Sequence, residues 1–475
     1  MKEKIKNDVK EESHFKEEIL SEEACEVLLE MESSEGKKRG KIDLGKDNVL
    51  KIFLYYAIPA ILGMVSMTSA WLIDGIFVGQ FVGSEAVAAI NLSMPILNFL
   101  FGVGMMISIG GGTLANIKRG EGDIHESNNF YTVTFLMVTI ISILATMICI
   151  LFSRQIAILL GASGSTTSLV SSYLFISSLF FVGFIGNAAL DMFLRSGGFP
   201  VFPIVCTTLG AVINIVLDYL FIAKFKIGLS GAALATGTSQ VIPMIAMLIF
   251  IIKKSSWNFV KPHFDMKAIR EMLFNGSSEL LSNVSVAISG FLFNILIMRR
   301  LGVMGVAAFS VANYIATVAM SVYWGIASAI GPGASFNKGM GENKRVRKFK
   351  RVGVITSLIL GLVLALVIFS KGTPIAEIFV GDDIEVINLA VHITKFYGIA
   401  IIIMGINIVA SMYYTSINEP LISIIIASSR SLIVLIVGLF TLPFIFGDNG
   451  LWLSLIFAEV VTLIIVFYYF KKKPY

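Results

Sequence analysis

The chain has 475 residues, of which 56% are hydrophobic and 15% are charged, with a formal net charge of +5 at pH 7. A soluble protein is about one quarter charged and under about half apolar, so this composition excludes a soluble enzyme, a disordered chain and a nucleic-acid-binding module. We predict a polytopic membrane protein with no nucleic-acid partner. The net positive charge does not indicate nucleic-acid binding, because in membrane proteins the positions of Lys and Arg along the chain set its orientation in the membrane.

The first 50 residues differ from the rest of the chain. They carry dense mixed charge, as in KEEILSEEACEVLLEMESSEGKKRGK, and they contain no apolar stretch of the kind found in a cleavable signal peptide. The sequence therefore predicts a charged N-terminal tail over residues 1–50 that stays in the cytoplasm.

Twelve apolar stretches follow, each long enough to cross about 30 Å of hydrocarbon as a helix. The predicted spans are 51–76, 86–110, 130–152, 168–192, 200–223, 230–252, 273–298, 306–331, 352–370, 388–412, 420–443 and 450–470. The fold class that this predicts is an all-α integral membrane protein with twelve transmembrane helices.

Basic residues fall mainly on one side of these spans. With the N-terminus inside and the tail set aside, the predicted cytoplasmic connections and C-terminus hold 18 Lys and Arg, whereas the opposite side holds six. The largest groups on the basic side are the cluster from Lys338 to Arg351 and the run Lys471 to Lys473. This bias predicts that both termini are cytoplasmic.

The chain also repeats itself at an offset of about 219 residues. The matching pairs are Gly83 with Gly302, Val87-Ala88-Ala89 with Val306-Ala307-Ala308, Gly112 with Gly331, Gly120 with Gly339, Gly122 with Gly341, Asn187 with Asn407 and Pro200 with Pro420. An even number of helices per repeat makes the repeat parallel, with its pseudo-two-fold axis along the membrane normal. We predict an N-lobe of six helices over 51–252, a linker over 253–272, a C-lobe of six helices over 273–470 and a cytoplasmic C-terminus over 471–475.

Polar residues inside the predicted N-lobe helices are few. Asp74 in the first helix and Asp218 in the fifth both lie toward the outer half of the membrane at similar depth. Asn214 lies one turn before Asp218, and Thr236 lies near the outer start of the sixth helix. A charge in the bilayer is costly, so such groups are functional candidates. Their oxygen atoms suit Na⁺ or a proton, and two neighbouring carboxylates would exchange protons near neutral pH.

Two further N-lobe residues in the fourth predicted helix allow two interpretations each. Asp191 precedes Arg195 by four residues, so it is either half of a local ion pair or part of a substrate site. Asn187, one turn deeper, either joins the cation-coupling set or packs helices together, as its repeat mate Asn407 also would.

Two candidates for substrate contact complete the set. Glu279 lies near the cytoplasmic start of the seventh helix, where it either reaches the interface or faces the substrate. Met64 in the first helix represents the methionines, whose soft side chains suit variable hydrophobic cations in a cavity between the lobes. We expect no cofactor other than the transported Na⁺ or H⁺.

Several runs also carry a family resemblance. YYAIPAILGMVSMTSAWLIDGIFVGQFVGSEAVAAINLSMPI, GGGTLANIKRGEGD, NIVLDYLFI and GLSGAALATGTSQ resemble the multidrug and toxic compound extrusion (MATE) transporters, in particular the MepA-like branch of the DinF group. The resemblance covers residues 48–473. It implies the MATE fold and, in a bacterial cell membrane, export of organic cations and amphipathic drugs, driven by the inward flow of Na⁺ or H⁺. We expect a monomer embedded in the lipid bilayer.

The resemblance also assigns residues. Asp74 matches the family's aspartate in a D-x-x-F-V-G context, and Asn214 with Asp218 matches its N-x-x-x-D pair. Thr236 matches the Ala-Thr of the sixth helix, and Asn187 matches the polar position of the fourth helix approximately. If the coupling ion is Na⁺, the implied metal ligands are Asp74, Asp218, Asn214 and Thr236.

Two other classes remain open at this point. A lipid-linked oligosaccharide flippase of the same superfamily would carry several basic residues inside its cavity, whereas the intramembrane charges here are mostly acidic. The second class is a membrane-embedded enzyme or receptor. An enzyme would need a clustered nucleophile or metal set, and the four histidines lie in the tail, in loops or at a helix start. No GxxxxGK[ST] phosphate loop is present, so we do not expect ATP to be the direct energy source.

Overall fold

A computed structural model of the chain describes residues 42–254, 257–380 and 383–473. Most of the predicted N-terminal tail, residues 1–41, lies outside the described residues, and the chain from Leu44 onward packs as one compact unit. Within the described ranges the regular elements are all helical. In chain order they are α1 (Val49–Phe81), α2 (Ser84–Gly120), α3 (Ile124–Leu159), α4 (Ser165–Ser178), α5 (Phe181–Ser196), α6 (Val201–Asp218), α7 (Leu229–Lys254), α8 (Met266–Gly339), α9 (Asn343–Val380), α10 (Ile384–Ser416), α11 (Pro420–Ser428), α12 (Val434–Phe446) and α13 (Asn449–Lys472), with π-helical turns at Tyr219–Lys224 after α6 and Ser429–Ile433 after α11.

The helices of the described chain provide enough long apolar segments for twelve membrane crossings, as the sequence predicts. Ten helical segments are long and apolar enough to cross a bilayer, and the bent pair α4 and α5 makes an eleventh. The twelfth comes from α8, whose 74 residues contain two crossings that meet at Gly302, where φ is 64° and ψ is −158°. The fold is therefore all-α, with twelve transmembrane helices.

The helices are longer than the apolar stretches that predict them. For example, α2 has 37 residues, which at about 1.5 Å per residue extends about 55 Å and exceeds the hydrocarbon thickness of about 30 Å. Apolar composition marks only the part of each helix inside the hydrocarbon. The predicted linker over 253–272 is partly helical for the same reason. Its non-helical part is shorter than predicted, because α7 continues to Lys254 and α8 begins at Met266.

The backbone repeats as the sequence does. Gly83 and Gly302 both have positive φ, at the corner between the first and second crossing of each half. Gly122 and Gly341 also share a positive φ, as do Gly228 and Gly447.

A helix kink repeats as well. Phe152 in α3 has φ −124° and ψ 15°, and Lys371 in α9, 219 positions later, has φ −125° and ψ 15°. These pairs confirm the parallel repeat, while the residue boundaries of the two lobes stay a prediction.

Glycines allow the two halves to touch at one end of the bundle. A Cβ atom on Gly120 of α2 would overlap the carbonyl oxygen of Phe336 of α8 and lie 3.1 Å from the Cα of Gly339. A Cβ atom on Gly276 of α8 would likewise overlap the carbonyl oxygen of Met106 of α2. We call this end, where α2 ends and α8 both begins and ends, the basic end, and we predict that it is cytoplasmic.

Candidate functional site

The structure brings Asp74 of α1 and Asp218 of α6 together. The two carboxyl groups lie within hydrogen-bonding reach of each other. The Asp218 side chain is fully buried, and neither of its oxygens has a hydrogen-bond donor among the described groups. Asp74 is half-buried, and a Cβ on the adjacent Gly75 would have open space around it. Asp218 is thus sealed in the protein, whereas Asp74 keeps part of its surface exposed, with its Oδ1 buried.

Asn214 and Thr236 lie beside this carboxyl pair. Asn214 is buried one turn before Asp218, and its Nδ2 donates to the Thr236 hydroxyl of α7 over 3.5 Å. The Thr236 carbonyl accepts a bond of 2.7 Å from Ser239 within the same helix. The four residues proposed from the sequence as one oxygen-ligand set therefore come from three helices that meet at one place.

A residue that the sequence analysis did not select also faces the pair. Tyr173 of α4 is 5% exposed and interacts electrostatically with both Asp74 and Asp218. It packs in an apolar cluster with Val78 and Ile222. Its depth was a usable signal, because Tyr173 lies about two turns from the outer start of its helix, at the level predicted for the two carboxylates.

The chemistry of this arrangement follows from the carboxyl pair. Two ionised carboxylates in contact repel each other, and neither can donate a hydrogen bond. A shared proton or a small cation between them removes the repulsion. Among the described residues no group of three or more His, Cys, Asp or Glu side chains could hold a metal ion, so a bound cation would draw on the amide and hydroxyl oxygens as well. The site is suited to reversible binding of one monovalent cation or proton.

The π-helical turn Tyr219–Lys224 directly follows Asp218. Such turns are frequent at functional sites because they displace the helix backbone without ending it. Here Gly231 of α7 approaches the widened turn closely enough that a Cβ would lie 3.2 Å from the Phe221 carbonyl oxygen. The turn thus brings α6 and α7 into close contact just beyond the carboxyl pair.

Asn187 of α5 has a different environment from the one expected of a cation ligand. Its Nδ2 donates to the backbone carbonyl of Gln240 over 2.7 Å and to the Gln240 side-chain oxygen over 2.9 Å. Its own Oδ1 is buried without a hydrogen-bond donor. The contact fixes α5 against α7, and its place in the coupling set stays a prediction.

The C-lobe repeats this contact with a charged partner. Asn407 of α10 donates to the backbone carbonyl of Glu459 over 2.9 Å and to its carboxylate over 2.7 Å. Gln240 and Glu459 are 219 positions apart, so the two asparagine contacts are repeat mates. Arg430, in the π-helical turn after α11, lies 3.9 Å from the Glu459 carboxylate.

Glu279 of α8 belongs to the same C-lobe cluster. It is 2% exposed, one of its carboxylate oxygens has no hydrogen-bond donor, and it interacts electrostatically with Arg430. The neighbouring Asn275 is fully buried. The structure thus places Glu279 in the protein interior rather than at the membrane interface, and its role toward substrate stays a prediction.

The other two substrate candidates lie apart from the carboxyl pair. Asp191 accepts a hydrogen bond of 2.6 Å from the guanidinium of Arg195, which also donates to Ser328 of α8 over 3.4 Å. Met64 is half-buried in α1, ten residues and therefore about 15 Å before Asp74. Neither residue contacts the candidate cation site, and both assignments stay predictions.

Fold and site together define a class: a helical membrane protein built from two parallel repeats, with a carboxyl pair inside one repeat. The chain belongs to the MatE family, whose sequence profile matches residues 59–220 and 280–440.

Bacterial relatives share most of the chain. The Multidrug export protein MepA of Staphylococcus saprophyticus is 24% identical over 424 residues, which cover 88% of this chain and 92% of that protein. The Multidrug export protein MepA of Staphylococcus aureus is 23% identical over 422 residues, covering 87% of this chain and 92% of that protein.

Solved structures show the same fold. A MATE structure in complex with MaL6 has a TM-score of 0.86 and 20% sequence identity, and the likeness covers 92% of this chain and 98% of that chain. A multidrug resistance MATE family transporter of the MOP superfamily, solved in an outward-facing conformation, has a TM-score of 0.84 with the same identity and coverage. These likenesses confirm the MATE fold.

Proposed function

We propose that this protein is a multidrug efflux transporter that exchanges organic cations and amphipathic drugs for inward-moving Na⁺ or H⁺. The observation that supports it most is the contact between Asp74 and Asp218, a pair of carboxyl groups in an otherwise apolar region. Such a pair binds one cation or proton reversibly, which is what coupling to an ion gradient requires. The names of the MepA relatives, which are multidrug export proteins, support the substrate class.

The two carboxyls have different parts in this mechanism. Asp74 is half-buried, so it is the carboxyl that would exchange the proton or Na⁺ with the aqueous cavity. Asp218 is fully buried and receives the ion through Asp74, with Asn214 and Thr236 supplying further oxygens for Na⁺. Binding removes the repulsion between α1 and α6, so ion binding can shift the packing of α1 within the N-lobe. Through that shift, the bound ion would favour one of the two states of alternating access, open to one side of the membrane, over the other.

The test is efflux of ethidium from proteoliposomes that contain the purified protein under an imposed Na⁺ or H⁺ gradient. We expect Asp218→Asn to abolish gradient-driven efflux, because an amide can neither bind a proton reversibly nor attract a cation as a carboxylate does. Asp448→Asn is the matched control, since it makes the same change at an exposed residue after α12 and should keep wild-type efflux. Comparison of the two gradients on the unmodified protein identifies the coupling ion.

Two outcomes would contradict the proposal. Wild-type efflux by Asp218→Asn under both gradients would show that the carboxyl pair is not the coupling site. A lack of efflux by the unmodified protein under both gradients would contradict the transport proposal itself.

The flippase alternative gains no support from the described residues. Two basic side chains inside the bundle, Arg195 and Arg430, each lie beside a carboxylate, Asp191 and Glu459 respectively. Their charges are therefore directed at the protein's own acidic groups, whereas a pyrophosphate site needs basic groups directed into the cavity.

A further inference from the structure

A pocket at the basic end has no part in the proposed function. It has a volume of about 210 Å³ and lies between the start of α1 and the start of α9. Its charged lining residues are Lys46, Arg345, Lys348, Arg351 and Asp47, four basic groups against one acidic group. A water molecule takes about 30 Å³ in the liquid, so the pocket can hold a larger polar group.

The pocket is built by specific contacts. Arg345 donates to the backbone carbonyl of Leu44 over 3.0 Å and to that of Asp47 over 2.8 Å. It also donates to the side-chain oxygen of Asn337 over 2.8 Å, while Asn337 donates to the Leu44 carbonyl over 2.8 Å. These bonds hold the segment before α1 against α8 and α9, so Lys46 is fixed opposite the basic residues of α9.

Among the described residues that line the pocket, four basic groups face one acidic group, Asp47. Lys348 and Arg351 are exposed, and the ion pairs of the described chain include neither of them. Arg345 donates to carbonyl and amide oxygens, which carry no formal negative charge. Several like charges around one concave space repel one another, and an anion bound among them removes that repulsion.

The surface next to the pocket is apolar and exposed. Leu50 and Val352 line the pocket itself. Exposed residues continue from it along one face of α1, at Leu54, Ile58 and Leu62, and along one face of α9, at Ile355, Ile359 and Leu362. In a membrane protein such faces contact acyl chains. A basic pocket that continues into two lipid-facing surfaces has the shape and chemistry of a phospholipid: a phosphate at the basic end and acyl chains beside the helices.

We propose that this pocket binds the phosphate of an anionic phospholipid of the surrounding leaflet. Because α1 belongs to the first repeat and α9 to the second, the bound phosphate bridges the two halves of the molecule. Free phosphate shares the same chemistry, but it would leave the adjoining apolar surface without a partner. The predicted cytoplasmic orientation agrees with the negative surface potential of that leaflet.

The test is native mass spectrometry of the full chain in detergent, titrated with phosphatidylglycerol and, separately, with phosphatidylcholine. We expect the first phosphatidylglycerol to bind more tightly than phosphatidylcholine. The double substitution Lys348→Gln with Arg351→Gln should weaken the first phosphatidylglycerol site about 30-fold, which is about 2 kcal/mol at 1.4 kcal/mol per factor of ten. Inorganic phosphate in a parallel titration distinguishes a free anion site from a lipid site.

The chain provides a matched control on the same helix. Lys344→Gln with Arg347→Gln removes the same two charges from exposed residues of α9 that do not line the pocket, so binding should change less than about twofold. Exchange of the two charges, Lys348→Arg with Arg351→Lys, should keep binding within about threefold and shows that a loss in the first variant is not misfolding.

Three results would overturn the proposal. They are an unchanged lipid affinity in the pocket variant, an equal loss in the control variant, and displacement of phosphatidylglycerol by inorganic phosphate at equal concentration. None of them depends on whether the protein exports drugs, because the readout is lipid binding alone.

Discussion

At the scale of single residues, the two halves use the same contact with different chemistry. Asn187 bonds to the neutral side chain of Gln240, whereas its repeat mate Asn407 bonds to the Glu459 carboxylate beside Arg430. A hydrogen bond to a charged group contributes about 1.5–3 kcal/mol to stability, against about 1 kcal/mol for a neutral one. The C-lobe contact should therefore matter more for folding.

This difference can be measured. We expect Asn407→Ala to lower the free energy of unfolding by about 1.5–3 kcal/mol, and Asn187→Ala to lower it by about 1 kcal/mol. Equilibrium unfolding in mixed micelles, followed by tryptophan fluorescence, gives both values under identical conditions. An equal loss in the two variants would contradict a charge-assisted bond at Glu459.

Single residues also show which candidates the sequence can and cannot point to. Asp74 and Asp218 stand out because a charge is rare in an apolar helix, and their equal depth permits a contact that only the helix packing decides. Neither Tyr173 nor Arg430 was selected from the sequence, although the depth of Tyr173 and the charge of Arg430 in an apolar span were usable signals. Their roles depend on which neighbouring helix they face.

At the scale of elements, glycines mark the corners of the repeat. Gly302 interrupts α8 with a φ of 64° and a ψ of −158°, a conformation that is essentially restricted to glycine. Gly290, in the same helix, is helical, and a Cβ there would meet no atom within 4 Å. Substitution of Gly302 therefore tests backbone strain, whereas substitution of Gly290 tests only the loss of a glycine.

For Gly302→Ala we expect a loss of about 1–3 kcal/mol in the free energy of unfolding, because alanine is strained at this φ and ψ. Gly290→Ala, the control, should change stability by less than about 1 kcal/mol, since alanine favours a helix more than glycine does. Equilibrium unfolding in mixed micelles compares the two. Equal stability of the variants would show that the chain at Gly302 can relax into an ordinary helix.

At the scale of the whole molecule, two repeat-mate glycines lie at the contact between the halves. Gly120 and Gly339 lie against each other where α2 and α8 cross, so the pseudo-two-fold axis passes close to them. A side chain at either position would overlap the backbone of the opposite helix. If the two halves rock as proposed, opening of the basic end would separate this crossing.

We therefore expect Gly120→Ala to force the halves apart at the basic end. Spin labels at Glu121→Cys and Glu342→Cys, both exposed next to the crossing, should show a longer distance distribution by pulsed electron resonance. Gly79→Ala is the control, because its Cβ would meet only Val87 at the ordinary distance of 3.7 Å. An unchanged distance in Gly120→Ala would mean that the crossing adapts without opening.

The sequence by itself determined the membrane class, the twelve crossings, the parallel repeat and the acidic candidates. All of these follow from local quantities: apolar length, the constant offset between matching residues, and the rarity of charge in hydrocarbon. Only the tertiary structure decided that Asn187 bonds to Gln240, that Glu279 joins Arg430 in the C-lobe interior, and that Lys46 faces the basic residues of α9 across a pocket. These contacts join residues far apart in the chain, and their partners depend on the rotation and tilt of each helix, which hydropathy and composition leave undetermined.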